Sequence, residues 1–240
     1  MRTIGLLGGM SWESTAVYYR RINEQVRNRL GGLHSAEVLM RSVNFEAIVG
    51  MQKANEWDAA GATLSALARS LERGGAACVL ICTNTMHKLA DTIQSAVSVP
   101  VIHIADTTAE AVKATPARRP LLLATRYTME QDFYLSRLRE KHGLDLIIPG
   151  ADDRTTVHEI IFGELCQGVI REQSRQRYLD IVARARDNGA DSVILGCTEI
   201  GLLISPDMMD IPAFDSTLIH ADAAVEFSMA GDNAPRKNAA

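Results

Sequence analysis

Residues 75–84 read GAACVLICTN, and residues 189–198 read GADSVILGCT. In each stretch a glycine suited to end a helix precedes a short apolar run, and polar residues follow that run. Apolar runs of this length are typical of strands buried in a parallel sheet. The two stretches lie 114 residues apart, and two further pairs of strand-like segments recur at spacings of 112 and 116. These spacings predict an internal duplication, with chance similarity between strands of one fold class as the alternative.

Strand-like runs alternate with amphipathic segments of helix length along most of the chain. Two clear helices are predicted over residues 11–30 and 58–73, each ending at a pair of glycines. This alternation is typical of doubly wound α/β proteins. The predicted strands cover residues 4–7, 38–43, 77–81, 101–104, 121–124, 144–148 and 192–195.

The predicted fold class is α/β, with two similar Rossmann-like lobes whose parallel sheets are related by a pseudo-twofold axis. Lobe 1 is predicted to comprise residues 1–99 and about 213–230, and lobe 2 residues 100–212. Residues 231–240 are polar and aperiodic, which predicts a disordered tail. Open parallel sheets bind ligands at the carboxyl ends of their strands, so the active site is expected in the cleft between the lobes.

Charge and composition limit the partners of the protein. Lys and Arg total 25 against 29 Asp and Glu, and aromatic residues make up 5% of the 240 residues, so no basic, aromatic surface for nucleic acid is expected. No apolar run approaches the ~20 residues of a membrane helix, so no membrane partner is predicted. The opening MRTIG lacks the apolar region of a signal peptide. The sequence therefore predicts a cytoplasmic protein with reduced cysteines.

The internal repeat places Thr83 and Cys197 at equivalent strand exits. Under pseudo-twofold symmetry their side chains are expected to face each other across the cleft. Cys197 also precedes an apparent helix start, where the helix dipole would lower the pKa of a thiol. The alternative for Cys197 is a buried structural thiol.

Two further segments carry polar groups suited to a small ligand. Residues 5–11, GLLGGMS, leave a strand and enter a helix whose N–H groups could bind a carboxylate, although a tight turn is the alternative. Asn84 and Thr85 could hydrogen-bond a carboxylate or amide, with a small polar turn as the alternative. The nucleotide-binding patterns G-x-G-x-x-G and G-x-x-x-x-G-K-[ST] are absent.

The other reactive side chains are interpreted as structural, without a catalytic or metal-binding role. His87 is predicted to lie on a solvated helical face. Cys166 is interpreted as a small core residue. Cys78 and Cys82 lie on a predicted strand without a second Cys or His pair at zinc spacing, so no metal site is predicted.

Four motifs in order resemble the aspartate/glutamate racemase family. They are GGMSWEST at 8–15, NTMH at 84–87, TRYTM at 125–129 and GCTE at 196–199. The resemblance implies racemisation of an acidic amino acid without a cofactor, two Rossmann-like lobes with the site between them, and a homodimer. Members typically carry a cysteine at each strand exit, one removing the α-proton and the other returning a proton to the opposite face.

The resemblance implies that Cys197 is the base serving the L-enantiomer. At the first-lobe position, where relatives read Cys-Asn-Thr, this chain has Thr83. If a hydroxyl resembles water, with a pKa of ~15.7, its ionisation is harder than that of a thiol of pKa ~8.5 by about 7 units, or roughly 10 kcal/mol. Thr83 is therefore expected to act only as a weak proton relay, which slows inversion in both directions.

The resemblance also indicates residues for substrate binding. Asn84, Thr85 and Thr198 are expected to hold the α-carboxylate and ammonium, and Glu199 to receive the ammonium. Gln52 is the polar residue expected near the distal group of the substrate. Secondary candidates are Met10, Ser11, Thr125 and Thr128.

Two other functions remain open from the sequence. One is a malonate-type decarboxylase or isomerase of the same superfamily that works with a single cysteine. The other is a protein that binds a small acid in its cleft without catalysis.

Overall fold

The structure, a computed structural model, describes residues 1–230. All strand pairs are parallel, and they form one sheet of four strands and one of three. The predicted α/β class with two lobes is confirmed; residues 231–240, predicted as a tail, lie outside the described residues. The first sheet has the order β2-β1-β3-β4, with β1 at Ile4–Gly8, β2 at Val38–Ser42, β3 at Cys78–Ile81 and β4 at Val101–Ile102. The second has the order β5-β6-β7, with β5 at Pro120–Leu123, β6 at Ser192–Leu195 and β7 at Ala213–Asp215.

Helices connect the strands and cover both sheets. The longest helices match the two predicted from glycine-terminated amphipathic patterns. In chain order they are α1 (Trp12–Leu30), α2 (Phe45–Lys53), α3 (Trp57–Arg73), α4 (Ala90–Gln94), α5 (Ile104–Lys113), α6 (Arg126–Glu130), α7 (Asp132–Ser136), α8 (Ala151–Gly163), α9 (Glu172–Asp187), α10 (Ile200–Leu203) and α11 (Ser216–Met229). Short 3₁₀ turns occupy Thr85–Leu89, Leu165–Gln167 and Pro206–Met208, and a π turn occupies Arg137–Lys141.

The internal repeat appears in the sheet order. In the first sheet β3 lies between β1 and β4, and in the second β6 lies between β5 and β7. The strands β3 and β6 begin and end at positions that the repeat makes equivalent. The predicted strand at 144–148 forms only an isolated bridge between Leu121 and Ile147. Pro149 lies two residues beyond Ile147, where the next N–H of a parallel ladder would be needed, and it has none.

Each lobe receives one helix that follows a strand of the other. α5 follows β4 of the first sheet, yet Ile104, Ala109 and Val112 are buried in the core of the second. α11 follows β7 of the second sheet, yet Ala221 and Val225 are buried in the core of the first. The two helices also pack against each other. The lobes are therefore joined by a reciprocal exchange of helices.

The exchange of helices between the lobes shows that two short strands lie on the other side of the predicted lobe boundaries. Residues 101–102 were assigned to lobe 2 but pair in the first sheet as β4, and residues 213–215 were assigned to lobe 1 but pair in the second sheet as β7. Each short strand completes the sheet it leaves before its helix crosses to the other core. The division into lobes by residue range otherwise stays a prediction.

Close backbone approaches fix the loops at the strand ends. Gly9 has a φ of +87°, and a Cβ there would lie 2.4 Å from the carbonyl oxygen of Val43. Gly196 lies against β5, and a Cβ there would be 2.7 Å from Leu122 Cδ1. The positive φ and the close backbone atoms require glycine at Gly9, whereas a Cβ at Gly196 would crowd the side chain of Leu122. Among residues 1–230, no helix combines the length and apolarity needed to span a membrane.

Candidate active site

One cavity lies where the carboxyl ends of strands from both lobes meet. About 390 Å³ of it is unoccupied by protein atoms, part of that space being open to solvent. Thr83, after β3, and Cys197, after β6, both line it, as the repeat predicts. Its lining comprises Met10, Phe45, Gln52, Thr83, Asn84, Thr85, Met86, Thr125, Ile161, Phe162, Cys166, Cys197 and Glu199.

The carboxylate of Glu199 is the centre of a buried hydrogen-bond cluster. Cys197 Sγ donates to Oε2 at 2.9 Å, and Thr198 Oγ1 donates to the same oxygen at 2.9 Å. Ser11 Oγ, from the first lobe, donates to Oε1 at 2.7 Å. The side chain of Glu199 is buried, and no cation pairs with it among residues 1–230. The carboxylate thus accepts three hydrogen bonds, and its Oε2 lies where it can receive the hydrogen of the Cys197 thiol.

The thiol of Cys197 is protonated in this environment. Burial raises its pKa well above the ordinary value, and the negative charge of Glu199 raises it further. The expectation that a helix start lowers this pKa is therefore wrong. The helix that follows, α10, has only four residues, and the thiol donates to the carboxylate of Glu199 just before it. Glu199 Oε2 is the acceptor that the structure gives the hydrogen of this thiol.

Asn84 lines the cavity and has an unpaired side-chain oxygen. Its Nδ2 donates to Ser216 Oγ at 3.1 Å, and that hydroxyl donates its own hydrogen to the carbonyl of Leu195 at 2.7 Å. Because the Ser216 hydroxyl can only accept from Asn84, the amide orientation is fixed. Asn84 Oδ1 is buried without a partner. A buried acceptor of this kind fits a donor on a ligand, such as an ammonium group.

Three threonine hydroxyls form a second polar group across the cleft. Thr85 Oγ1, from the first lobe, lies 3.0 Å from Thr125 Oγ1 and 3.5 Å from Thr128 Oγ1. Thr125 and Thr128 are 3.3 Å apart. Each hydroxyl can turn its hydrogen toward an anion, so this trio can donate to a carboxylate.

The structure separates the predicted binding residues into two groups. Those that line the cavity are Met10, Gln52, Asn84, Thr85, Thr125 and Glu199. Ser11, Thr128 and Thr198 are outside the lining and instead hydrogen-bond side chains within it. The Gln52 amide is buried, has no hydrogen-bond partner among residues 1–230, and lines both this cavity and the wider mouth beyond it.

One sequence interpretation is extended at the site and another is corrected. Cys166, interpreted as a small core residue, is half-buried and packs against the core of the second lobe, and it also lines the cavity and its mouth. His87 was predicted on a solvated face, but it is 3% exposed. Cys82, beside Thr83, packs instead in the core of the first lobe, as strand alternation requires. No motif indicated Cys166, because its place depends on how the chain turns after α8.

Metal ligation is not indicated by any cluster in the described chain. Residues 1–230 contain no group of three or more His, Cys, Asp or Glu side chains arranged to hold a metal ion. All four cysteines are free thiols.

The fold and the cavity define a two-lobed α/β protein with an acid–base site between its lobes. The sequence profile of the Asp/Glu/Hydantoin racemase family matches residues 7–224. The chain belongs to this family, as the resemblance of its motifs predicts, and the prediction of an amino-acid racemase, an isomerase, is confirmed.

Individual relatives cover nearly the whole chain. A candidate Asp/Glu racemase from Yersinia pestis is 47% identical, with a TM-score of 0.89 over 95% of this chain and 100% of that one. An aspartate racemase homologue from Pyrococcus horikoshii OT3 is 33% identical, with a TM-score of 0.83 over 95% and 99%. The broad specificity amino-acid racemase RacX of Bacillus subtilis (strain 168) is 21% identical over 95% of this chain and 98% of its own length.

Proposed function

We propose that this protein interconverts the L- and D-enantiomers of aspartate and glutamate without a cofactor, with Cys197 and Thr83 on opposite faces of the substrate Cα. The observation that carries the proposal is that these residues, at equivalent strand ends of the two lobes, line one cavity, and that the Cys197 thiol donates to a buried carboxylate. The pair thus supplies one assisted base and one weak proton donor.

The proton inventory of the reaction balances. Cys197 passes its thiol proton to Glu199, and the resulting thiolate removes the α-proton of the L-enantiomer. The Thr83 hydroxyl gives its proton to the opposite face of the carbanion. The cycle closes when the proton held by Glu199 returns to Thr83 through water. Inversion from the D-enantiomer follows the same steps in reverse.

The polar groups of the cavity support a placement for the amino acid. Asn84 Oδ1, which lacks a donor, accepts from the α-ammonium. The hydroxyls of Thr85 and Thr125 donate to the α-carboxylate. Glu199 is engaged by the thiol, so it acts on the proton of Cys197 rather than as the main ammonium partner.

We place the distal group of the substrate in the neck, the region shared by the cavity and its mouth. Four residues line both spaces: Phe45, Gln52, Phe162 and Cys166. Only the Gln52 amide among them is a strong hydrogen-bonding group, and it can donate to a carboxylate. The described lining of the cavity contains no Lys or Arg. A neutral neck also admits uncharged side chains, and the relative RacX is described as broad in specificity.

One experiment tests the reaction and the two alternatives. The protein is incubated in D₂O with L-Asp, L-Glu and several neutral amino acids, while NMR follows the α-proton signal and chiral chromatography follows inversion. We expect deuterium wash-in on the Cys197 face to exceed inversion, and Cys197→Ser to lose both. In a parallel incubation with malonates, release of CO₂ while the amino acids keep their chirality would establish the decarboxylase instead. Saturable binding with no exchange, unchanged in Cys197→Ser, would establish a binding protein.

We also propose that the protein acts in the cytoplasm as a homodimer. The four free thiols support a reducing compartment, and the dimer rests on the resemblance to the family. Light scattering coupled to gel filtration tests the subunit number.

A further inference from the structure

His87 follows Thr83 by one helical turn and is buried inside the first lobe. It lies in the 3₁₀ turn that begins at Thr85, and its ring faces away from solvent. The imidazole uses both of its nitrogen atoms. Nδ1 lies 2.7 Å from the carbonyl oxygen of Thr83, and Nε2 lies 3.1 Å from the backbone nitrogen of Ile104.

These two contacts fix the tautomer. The N–H of Ile104 can only donate, so Nε2 must offer a lone pair. The carbonyl of Thr83 can only accept, so Nδ1 must carry the hydrogen. The imidazole is therefore neutral, and burial and two neighbouring histidines lower the pKa of His87 in the same direction. With both nitrogens bonded to backbone, His87 cannot exchange protons with a substrate in the cavity.

The contacts link the Thr83 backbone to the junction between the lobes. Ile104 is the first residue of α5, whose early N–H groups have no partner within the helix. That helix follows the first sheet and packs into the core of the second lobe. His87 thus connects the end of β3, where Thr83 lies, to the first residue of α5. α5 packs in the core of the second lobe, which also contains Cys197.

We propose that His87 is a positioning residue for Thr83, holding its carbonyl so that the hydroxyl stays directed at the face of the substrate opposite Cys197. This inference rests on the proposed racemisation. Loss of the Nδ1 donor frees the Thr83 carbonyl, and the position of the Thr83 hydroxyl is then no longer fixed. Proton return to the Thr83 face then slows, while proton removal on the Cys197 face continues.

Neighbouring histidines supply a matched control. The ring of His103 lies 4.6 Å from that of His87, and its Nδ1 accepts from the N–H of Ala105 at the start of α5. The ring of His220 lies 5.6 Å away and bonds Tyr18 and the carbonyl of Ile102. Neither contacts Thr83. His103→Asn keeps a good helix cap and leaves Thr83 untouched.

The test separates the two bonds of His87. An asparagine amide nitrogen reaches the position of Nδ1, so His87→Asn keeps the donor to Thr83. A glutamine amide reaches the position of Nε2, so His87→Gln keeps the acceptor for Ile104 and loses the donor. The readout is the ratio of inversion to deuterium wash-in from the L-enantiomer, measured on folded full-length protein.

We expect His87→Gln to lower this ratio about tenfold, and His87→Asn and His103→Asn to stay within twofold of the wild-type ratio. In a Thr83→Ala background, His87→Gln should lower the ratio no further. Equal losses of exchange and inversion in His87→Gln would overturn the proposal. If that variant does not fold, a tenfold loss of the ratio in folded His87→Asn would overturn it. Absence of any exchange in the wild-type protein would overturn the proposed function itself.

Discussion

Replacing Glu199 by glutamine tests whether this carboxylate takes the proton of Cys197. The substitution keeps the size and shape of the side chain, removes its charge and basicity, and replaces one acceptor oxygen by an NH₂ donor. In the wild-type protein the two oxygens accept from Cys197, Thr198 and Ser11. With the amide oxygen in place of Oε2, the first two donors keep an acceptor, and the Ser11 hydroxyl can accept from the amide NH₂. The expected loss of folding stability is about 1 kcal/mol.

The expected loss of activity is larger than the loss of stability. An amide cannot accept the thiol proton, and the buried thiol has a pKa raised well above its ordinary value. Loss of a positioned acid–base group costs about 10²- to 10⁴-fold in rate, or roughly 3 to 5 kcal/mol. Because Glu199→Gln removes the positioned acceptor of the thiol proton, we expect deuterium wash-in and inversion to fall together. The rate of the variant should rise with pH, since its thiol must lose the proton to water.

The assay compares both enantiomers by circular dichroism and wash-in by NMR. Since enantiomers have equal free energy in water, kcat/KM must be the same in both directions and must fall by the same factor. Ser11→Ala is the matched control, because it removes one donor from Glu199 and leaves the carboxylate. It should lower kcat/KM less than tenfold and also weaken the cap of α1. Wash-in by Glu199→Gln within threefold of wild type would refute the role of Glu199.

Three further predictions concern single residues. Thr83→Cys should raise inversion equally in both directions, because a thiol ionises about 7 pKa units more easily than a hydroxyl; unchanged turnover of the D-enantiomer by polarimetry would contradict the pairing. Gln52→Leu should raise KM for aspartate and glutamate about tenfold and leave KM for an apolar amino acid unchanged, as initial rates would show. Burial lowers the pKa of His220 from 6.5 to about 4, so the folded state stays neutral while the unfolded chain binds a proton. Its contribution to stability is complete above pH 6.5 and falls by about 2 kcal/mol at pH 5; urea unfolding should show a smaller loss between these pH values in His220→Gln.

The sequence predicts those elements of the fold that depend on local patterns of apolar, polar and glycine residues. The strands β3 and β6 follow from short apolar runs with a glycine before and polar residues after, and both end where the repeat predicts. The same reasoning brought Thr83 and Cys197 to one cavity, because carboxyl ends of parallel strands share one edge. The segment at 144–148 has a similar apolar pattern but forms only a bridge, since the proline after it ends the pairing.

The part that could not be predicted depends on contacts between distant segments. Glu199 is two residues from Cys197, but the sequence does not say that its carboxylate turns back to the thiol and not toward a ligand. Cys166 reaches the cavity through the turn after α8, and no spacing in the chain encodes that turn. His87 is buried because α5 crosses to the opposite core and places the N–H of Ile104 beside it.

In the proposed mechanism, the duplicated architecture allows one unequal residue pair to serve both faces of the substrate. Equivalent strand exits bring side chains to opposite sides of one cavity, so the symmetry of the lobes supplies the geometry for both faces of a carbon. The surroundings of the two exits differ, because the Cys197 thiol donates to the Glu199 carboxylate, whereas Thr83 has no carboxylate among its hydrogen-bond partners in residues 1–230. Inversion must pass through both faces, so the slower face limits the rate in each direction. The difference between Cys197 and Thr83 is therefore expected to change the rate of proton exchange on each face. It leaves the equilibrium constant between the enantiomers at one.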